Sequence, residues 1–133
     1  GLPLHGHELG PGITPLQAGL RWVVGWDKDD FAGKAPLAAE RARGPRRRLR
    51  GLLLEGRRPP RQGQALVVAG RTVGHVTSGN FSPTLARGIG LCLAHPEVEV
   101  GDAVEIDLRG KPTSAVVVKP PFVPRAAVGT MRA

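Results

Sequence analysis

The sequence is poor in cysteine, aromatic residues and long apolar runs. Its 133 residues include one Cys, two Trp, three Phe and no Tyr. The single Cys92 excludes an internal disulfide, and its apolar neighbours predict a buried, unreactive thiol. No apolar stretch has the length of a membrane-spanning helix, and the first residues lack a charged-then-apolar signal pattern. We therefore expect a cytoplasmic protein without a membrane partner.

Negative charge is also scarce. The 11 Asp and Glu residues are outnumbered by 19 Lys and Arg, which gives a formal net charge of +8. This excess indicates negatively charged partners, unless it reflects a general bias toward Arg, Ala, Gly and Pro. Arg46, Arg47 and Arg48 form one cluster, and Arg57 and Arg58 begin a second one that could lie close to it in space. A solvated basic surface is favoured over nucleic-acid binding, because few aromatic side chains are available for base stacking.

Short segments rich in Val, Leu and Ile dominate the chain after its first third, and Gly, Pro or polar residues separate them. Such segments are typical of β-strands. With little helix present, closure of the sheet hides the edges that an open sheet leaves unpaired. We predict a mainly β fold, a small six-stranded antiparallel β-barrel preceded by an irregular connector and one short helix. The predicted strands cover residues 48–55, 64–69, 72–77, 88–94, 103–108 and 113–119.

The residues before the barrel have weaker patterns. Residues 1–12 are rich in Gly and His without a period, and a short turn followed by a strand is expected to end near Trp26. A helix is predicted over residues 36–43, because Pro36 suits the first helical position and Gly44-Pro45 provides a stop. The predicted units are a connector with the helix (1–45), the barrel domain (46–125) and a frayed tail (126–133).

One stretch, residues 73–85, has the densest turn signals. Ser78-Gly79-Asn80 predicts a loop, since glycine adopts positive φ easily and small polar side chains bond to nearby backbone groups. Ser82-Pro83 then restricts the chain further. We expect a rigid polar loop leaving the sheet, with Gly79 present because the backbone turns there. Thr77 and Ser78 have no activating partner nearby in sequence, so we expect them to form hydrogen bonds rather than to act as nucleophiles.

Five short motifs occur in order along the chain. They are residues 4–9 (LHGHEL), 14–20 (TPLQAGL), 30–34 (DFAGK), 76–79 (VTSG) with 81–85 (FSPTL), and 121–123 (PFV). Each motif is weak alone, because short strings of Gly and Pro recur by chance. In this order and spacing, over about residues 1–125, they resemble the C-terminal third of the aminomethyltransferases, or T-proteins, of the glycine cleavage system.

The resemblance implies a reaction and its participants. The family takes the aminomethyl group from the lipoyl arm of the H-protein, transfers its one-carbon unit to tetrahydrofolate and releases ammonia. Its essential aspartate and folate-recognising glutamate belong to two preceding folate-binding domains. We therefore expect an inactive C-terminal fragment with no catalytic residue of its own and weak or no binding of tetrahydrofolate. Its expected partners are the H-protein and the missing N-terminal domains, and uncovered apolar residues such as Leu2 and Leu4 predict self-association.

The resemblance also assigns residues to the folate site. His5 occupies a position where the family usually has a tyrosine near the folate. Trp22 follows Ala-Gly-Leu, where an indole can stack on a pterin or aminobenzoyl ring, although core packing is the interpretation that we favour. Arg125 resembles a basic residue that can bind a folate carboxylate. Glu8 is expected to hold a loop rather than to act as an acid or base, and His7 with His5 is not expected to bind a metal.

The first basic cluster also gains a partner from the resemblance. Arg46, Arg47 and Arg48 are predicted to bind an acidic surface of the H-protein in a salt-sensitive manner. Two alternatives stay open. Sarcosine and dimethylglycine dehydrogenases have a similar folate domain at their C-terminal ends, and a free-standing basic barrel would bind RNA or another anionic partner.

Overall fold

Six antiparallel strands form the centre of the protein, and the computed structural model describes residues 1–123. A 3₁₀ helix (Arg21–Val23) and helix α1 (Lys34–Arg43) precede the strands. The strands are β1 (Arg48–Leu54), β2 (Ala65–Val68), β3 (Arg71–Ser82), β4 (Arg87–Ala94), β5 (Ala103–Asp107) and β6 (Pro112–Val118). They close into a barrel in the order β1-β4-β3-β2-β5-β6. The predicted mainly β fold, a six-stranded antiparallel barrel after a connector and one helix, is confirmed.

Closure of the barrel depends on β1, which pairs on both of its edges. Leu53 lies opposite Ile89 of β4 and opposite Val116 of β6. Successive residues of a strand face opposite sides, so alternate side chains point into the barrel. Burial of each large apolar side chain contributes about 1.5–3 kcal/mol. The barrel core includes Leu52, Leu54, Leu66, Val76, Cys92, Ile106 and Val117, all at most 2% exposed.

Two tight hairpins connect neighbouring strands. Ala69 and Gly70 join β2 to β3 with φ angles of 48° and 77°. Arg109 and Gly110 join β5 to β6 with φ angles of 59° and 80°. Two consecutive residues with positive φ form the turn whose twist matches that of the flanking strands, which explains glycine at the second position of each turn.

The polar loop predicted at residues 78–80 is wrong. β3 continues through these residues to Ser82, and Gly79 pairs with Gly90 of β4. Gly79 is not among the residues with positive φ, so it does not turn the backbone. The local turn signals are overridden because both neighbouring residues of β3 continue the hydrogen-bonded ladder with β4.

Gly79 instead allows another segment of the backbone to pack closely against β3. Together with Gly88 and Gly90 it leaves space that the segment 58–60 fills. A β-carbon at Gly79 would lie 2.9 Å from Cδ of Pro60 and closer still to the Pro60 carbonyl oxygen. A β-carbon at Gly90 would lie 2.7 Å from Cγ of the same proline, which is buried. Glycine is required where two backbones come this close.

The connector differs from its prediction in one element. No strand ends near Trp26; residues 21–23 form the 3₁₀ helix instead. The helix α1 is confirmed, but it begins at Lys34, with Gly33 as the preceding cap residue at a φ of 92°. Pro36 therefore lies within the first turn, where backbone N–H groups have no partner in the helix and a proline is tolerated. The predicted tail, residues 126–133, lies outside the described residues.

Candidate functional site

The connector is joined to the barrel through Glu8, whose side chain is fully buried. Its carboxylate accepts hydrogen bonds from the Leu4 amide (3.0 Å) and from the Ser78 hydroxyl of β3 (2.7 Å). The adjacent His7 donates from Nδ1 to the Thr77 carbonyl oxygen at 2.9 Å, since a carbonyl can only accept. The predicted loop-holding role of Glu8 and the hydrogen-bonding role of Ser78 are confirmed.

This environment keeps Glu8 ionised. Burial acts to raise the pKa of the Glu8 carboxyl, but the Thr77 hydroxyl, the Leu4 amide, the Ser78 hydroxyl and the electrostatic effect of His7 outweigh it. The pKa therefore lies below its ordinary value. Among residues 1–123 the buried Thr77 hydroxyl oxygen has no hydrogen-bond partner, so the hydrogen-bonding role predicted for Thr77 is not confirmed. Glu8 is thus a fixed anion and not a proton donor near neutral pH.

A cleft of about 300 Å³ lies beside Glu8, and we name it the connector cleft. Its walls combine apolar side chains with the Glu8–Ser78 pair. Leu2 and Leu4 at its rim are 91% and 57% exposed, so the cleft opens onto an uncovered apolar surface. The remaining lining residues that contribute side chains include Asn80, Ile89, Leu91 and Phe122.

Two of the three predicted folate residues, His5 and Trp22, lie within the described residues, and both are exposed. His5 is exposed in the connector loop and does not line the connector cleft. Trp22 is 77% exposed in the 3₁₀ helix, so the core-packing interpretation is wrong. The reason is that the connector adds no second layer over this helix within residues 1–123. Arg125 lies outside the described residues.

The first basic cluster contains arginines in two different environments. Arg46 and Arg48 are exposed, whereas Arg47 is half-buried. The Arg47 guanidinium donates to Oε1 of Gln17 at 2.9 and 3.1 Å and to the Gly12 carbonyl oxygen at 2.9 Å. It therefore ties the connector to the start of β1.

The two basic clusters do not lie close together. Arg48 is the first residue of the seven-residue strand β1, and the loop that contains Arg57 and Arg58 follows the other end of the strand. At roughly 3.3 Å per residue the strand spans about 20 Å. The guanidinium of Arg57 instead lies over the Phe81 ring, 4.9 Å from its centroid. The expectation of one combined basic patch is wrong for these residues.

A buried polar link was missed by the sequence reasoning. Gln17 and Glu40 of α1 are 3% and 4% exposed, and Nε2 of Gln17 donates to Oε1 of Glu40 at 3.2 Å. The Gln17 carbonyl also accepts from the Leu49 amide of β1 at 2.8 Å. Gln17 thus connects α1, β1 and Arg47. The presence of Gln17 inside the TPLQAGL motif was the signal that could have marked it.

Cys92 is an inert core residue, as predicted. Burial raises its pKa to about 12, against the lowering effects of the Arg50 charge and of a hydrogen bond to the Arg50 backbone. Within residues 1–123, no group of three or more His, Cys, Asp or Glu side chains is arranged to hold a metal ion. No helix in the same part of the chain is long and apolar enough to cross a membrane.

A family model described as the glycine cleavage T-protein C-terminal barrel domain matches residues 47–124, which is more than half of the chain. These residues include all six strands of the barrel. The chain belongs to the glycine cleavage T-protein family. The match confirms the family that the five sequence motifs indicated.

Named T-protein relatives extend the similarity into the connector. The aminomethyltransferase of Frankia alni is 54% identical over 125 residues, 93% of this chain and 34% of that protein. That of Mycobacterium tuberculosis is 54% identical over 125 residues, 92% of this chain and 34% of that protein. The crystal structure of glycine cleavage system aminomethyltransferase T from Bartonella henselae superposes with a TM-score of 0.84 at 34% identity, over 92% of this chain and 35% of that chain. The chain thus spans about a third of the length of these relatives.

Proposed function

We propose that this chain supplies the C-terminal barrel of an aminomethyltransferase. The complete enzyme would accept aminomethyl-lipoyl H-protein and tetrahydrofolate and yield methylene-tetrahydrofolate, ammonia and dihydrolipoyl H-protein. The observation that supports this function is the 54% identity to an aminomethyltransferase over 93% of the chain. A cytoplasmic location belongs to the same proposal, since the single cysteine is buried as a free thiol.

The role of the chain in that reaction is to complete the folate site. The acid beside the connector cleft, Glu8, is held as an anion with both oxygens bonded, so it is unsuited to general acid–base work near neutral pH. The exposed indole of Trp22 offers a flat surface on which the pterin or aminobenzoyl ring of tetrahydrofolate can stack. Arg125 and the exposed His5 belong to the same proposed site, and the chain alone is expected to be inactive.

A chimera tests this proposal directly. The matching third of the Mycobacterium tuberculosis aminomethyltransferase is replaced by this chain, and ammonia release is measured with aminomethyl-lipoyl H-protein and tetrahydrofolate. We expect a rate within about tenfold of the parent enzyme, which corresponds to about 1.4 kcal/mol of transition-state stabilisation. The 133-residue chain alone should release no ammonia. A folded chimera that binds both substrates without turnover would contradict the proposal.

The proposed contact of Trp22 with folate is tested by a separate variant. In the chimera, Trp22→Ala should raise the KM for tetrahydrofolate by about fivefold, because aromatic stacking contributes about 0.5–1.5 kcal/mol beyond area burial. Val23→Ala is the matched control, since Val23 is 53% exposed in the same 3₁₀ helix. An equal change of KM in both variants would remove Trp22 from the folate site.

We further propose that the exposed Arg46 and Arg48 bind an acidic surface of the H-protein, with Arg47 supporting them from the connector side. In the chimera, Arg46→Ser with Arg48→Ser should weaken H-protein binding by about fivefold at low salt, and the difference should shrink at high salt. Arg47 is left unchanged because it holds Gln17. Arg109→Ser, at the exposed β5–β6 hairpin, is the control. Unchanged affinity of the double variant at low salt would refute this contact.

A further inference from the structure

A groove of about 470 Å³ lies where the connector approaches β3, on the side of His7 rather than of Glu8. Its volume falls within the range of about 300–1,000 Å³ that small-molecule sites occupy. His7 and Ile13 of the connector form part of one wall, and residues 71–75 of β3 form part of another. We name it the histidine groove. Its ionisable lining residues are His7, Arg46, Arg47, Arg71, His75, His95 and Glu97.

Basic side chains strongly outnumber acidic ones in this lining. Glu97 is the one acid among the lining residues, against three arginines and three histidines. Its carboxylate is already engaged, because Oε1 pairs with Arg71 and Oε2 lies 3.6 Å from Nδ1 of His95. The groove therefore keeps a positive excess even when every histidine is neutral.

Two of the arginines have no compensating charge among residues 1–123. Arg47 donates to Gln17 and to the Gly12 carbonyl, and both acceptors are neutral. Arg46 is exposed and forms no salt bridge in the described part of the chain. Positive charge in a concave site attracts anions more strongly than the same charge on a flat surface.

Hydrogen-bond donors face the same space. His7 is not one of them while its ring is neutral, because its Nδ1–H donates to the Thr77 carbonyl oxygen and its Nε2 is then an acceptor. His75 is exposed on β3 and lines the groove beside Thr72. Guanidinium groups and an imidazole N–H together are donors suited to an oxyanion that accepts several hydrogen bonds at once.

We propose that the histidine groove binds a small molecule through a phosphate group. Arg46 and Arg71, from different elements, provide charged donors, and His75 adds a third donor. The site goes beyond the proposed folate site, because neither His5 nor Trp22 lines the groove, although it shares Arg46 with the proposed H-protein contact. A dicarboxylate presents similar oxygens, so the experiment includes one.

The test is a titration of the protein with inorganic phosphate, phenyl phosphate and succinate at constant ionic strength, followed by NMR. Both phosphates should cause saturable shifts confined to the residues around the groove, which are 7, 13, 46–47, 71–75 and 93–97. Arg46→Gln and His75→Gln should each weaken phosphate binding by about tenfold or more, since a hydrogen bond to a charged group contributes about 1.5–3 kcal/mol.

Arg48→Gln is the matched control, because it removes the same charge two positions away without changing the lining of the groove. Its phosphate affinity should equal that of the unmodified protein. An equal loss in the Arg46 and Arg48 variants, or shifts that do not saturate, would show general charge attraction and overturn the proposal. Tighter binding of succinate than of either phosphate would overturn the ligand class. Arg46 belongs to both proposed sites, so Arg48, which belongs to the H-protein contact and does not line the groove, separates the two.

Discussion

At the scale of single residues, the buried carboxylate of Glu8 links the connector to the barrel. Its two oxygens bind groups from different parts of the chain, the Leu4 amide of the connector and the Ser78 hydroxyl of β3. Hydrogen bonds to the ionised form compensate for the loss of hydration, so the charge is tolerated. The position of residues 4–9 against the barrel therefore depends on the ionisation of one side chain.

Replacement of Glu8 should reveal this dependence. Glu8→Gln keeps the size of the side chain but places an NH₂ group opposite one of the two donors, so we expect a loss of about 1–3 kcal/mol in the free energy of unfolding at pH 7. Because the folded-state pKa of Glu8 is lowered, its stabilisation is complete well above the ordinary value of 4.5 and is lost as the pH falls through the folded value. Urea unfolding at pH 7 and below pH 4.5 measures both quantities.

The matched control for this experiment is Glu55→Gln, because Glu55 is exposed and forms no salt bridge in the described part of the chain. Its free energy of unfolding should change by less than about 0.5 kcal/mol. A Glu8→Gln deficit that grows as the solution is acidified would contradict the assigned direction of the pKa.

At the scale of secondary-structure elements, the barrel depends on a loop that packs against glycines. The segment 58–60 between β1 and β2 lies against Gly79, Gly88 and Gly90 of β3 and β4. A β-carbon at Gly88 would lie 2.5 Å from the Arg58 carbonyl oxygen. Strand residues that lack a side chain thus leave room for backbone from another part of the sequence.

Gly79→Ala should therefore be strongly destabilising. The new methyl group overlaps the Pro60 backbone, so either the loop or β3 must move, and we expect a loss of about 2 kcal/mol or more. Gly56→Ala is the matched control, since a β-carbon at Gly56 would meet no other atom within 4 Å and the φ of this residue is not positive. Thermal unfolding of both variants gives the comparison. Equal melting temperatures for the two would refute the close-approach role.

These elements also explain what the sequence could predict. Runs of apolar residues located all six strands, because this signal is local. The prediction for Gly79 was wrong because glycine is needed there for close packing against Pro60, which is distant in sequence. The hydrogen bonds of Gln17 with Glu40 and Arg47 were not predicted for the same reason, since the type of a residue does not identify its partner in another element.

At the scale of the whole molecule, exposed apolar surface and net charge have opposite effects on self-association. Leu2, Leu4, Trp22 and Val23 expose apolar surface, which favours association. The formal net charge of +8 favours separation of the molecules. The balance between them depends on ionic strength, because salt screens charge repulsion but does not weaken apolar contacts.

We expect the 133-residue protein to self-associate, and more so as salt is added. Static light scattering at low salt and at about 0.5 M salt measures the average mass, because the Debye length falls well below about 10 Å over this range. Leu2→Ser with Leu4→Ser should reduce association at both salt concentrations. Val100→Ser, which changes a 56% exposed valine in the loop before β5, is the control. A monomer at high protein concentration in both buffers would count against this expectation.

The pairing of β1 on both edges affects folding during synthesis of the chain. β1 bonds to β4 on one edge and to β6 on the other, with Leu54 opposite Ala115. A ribosome adds about 5–20 residues per second, so roughly 3–12 seconds pass between the synthesis of β1 and that of β6. During this interval one edge of β1 has no partner, and the chain is open to pairing with a neighbouring nascent chain. Slow translation between these two strands would therefore lower the yield of correctly folded protein.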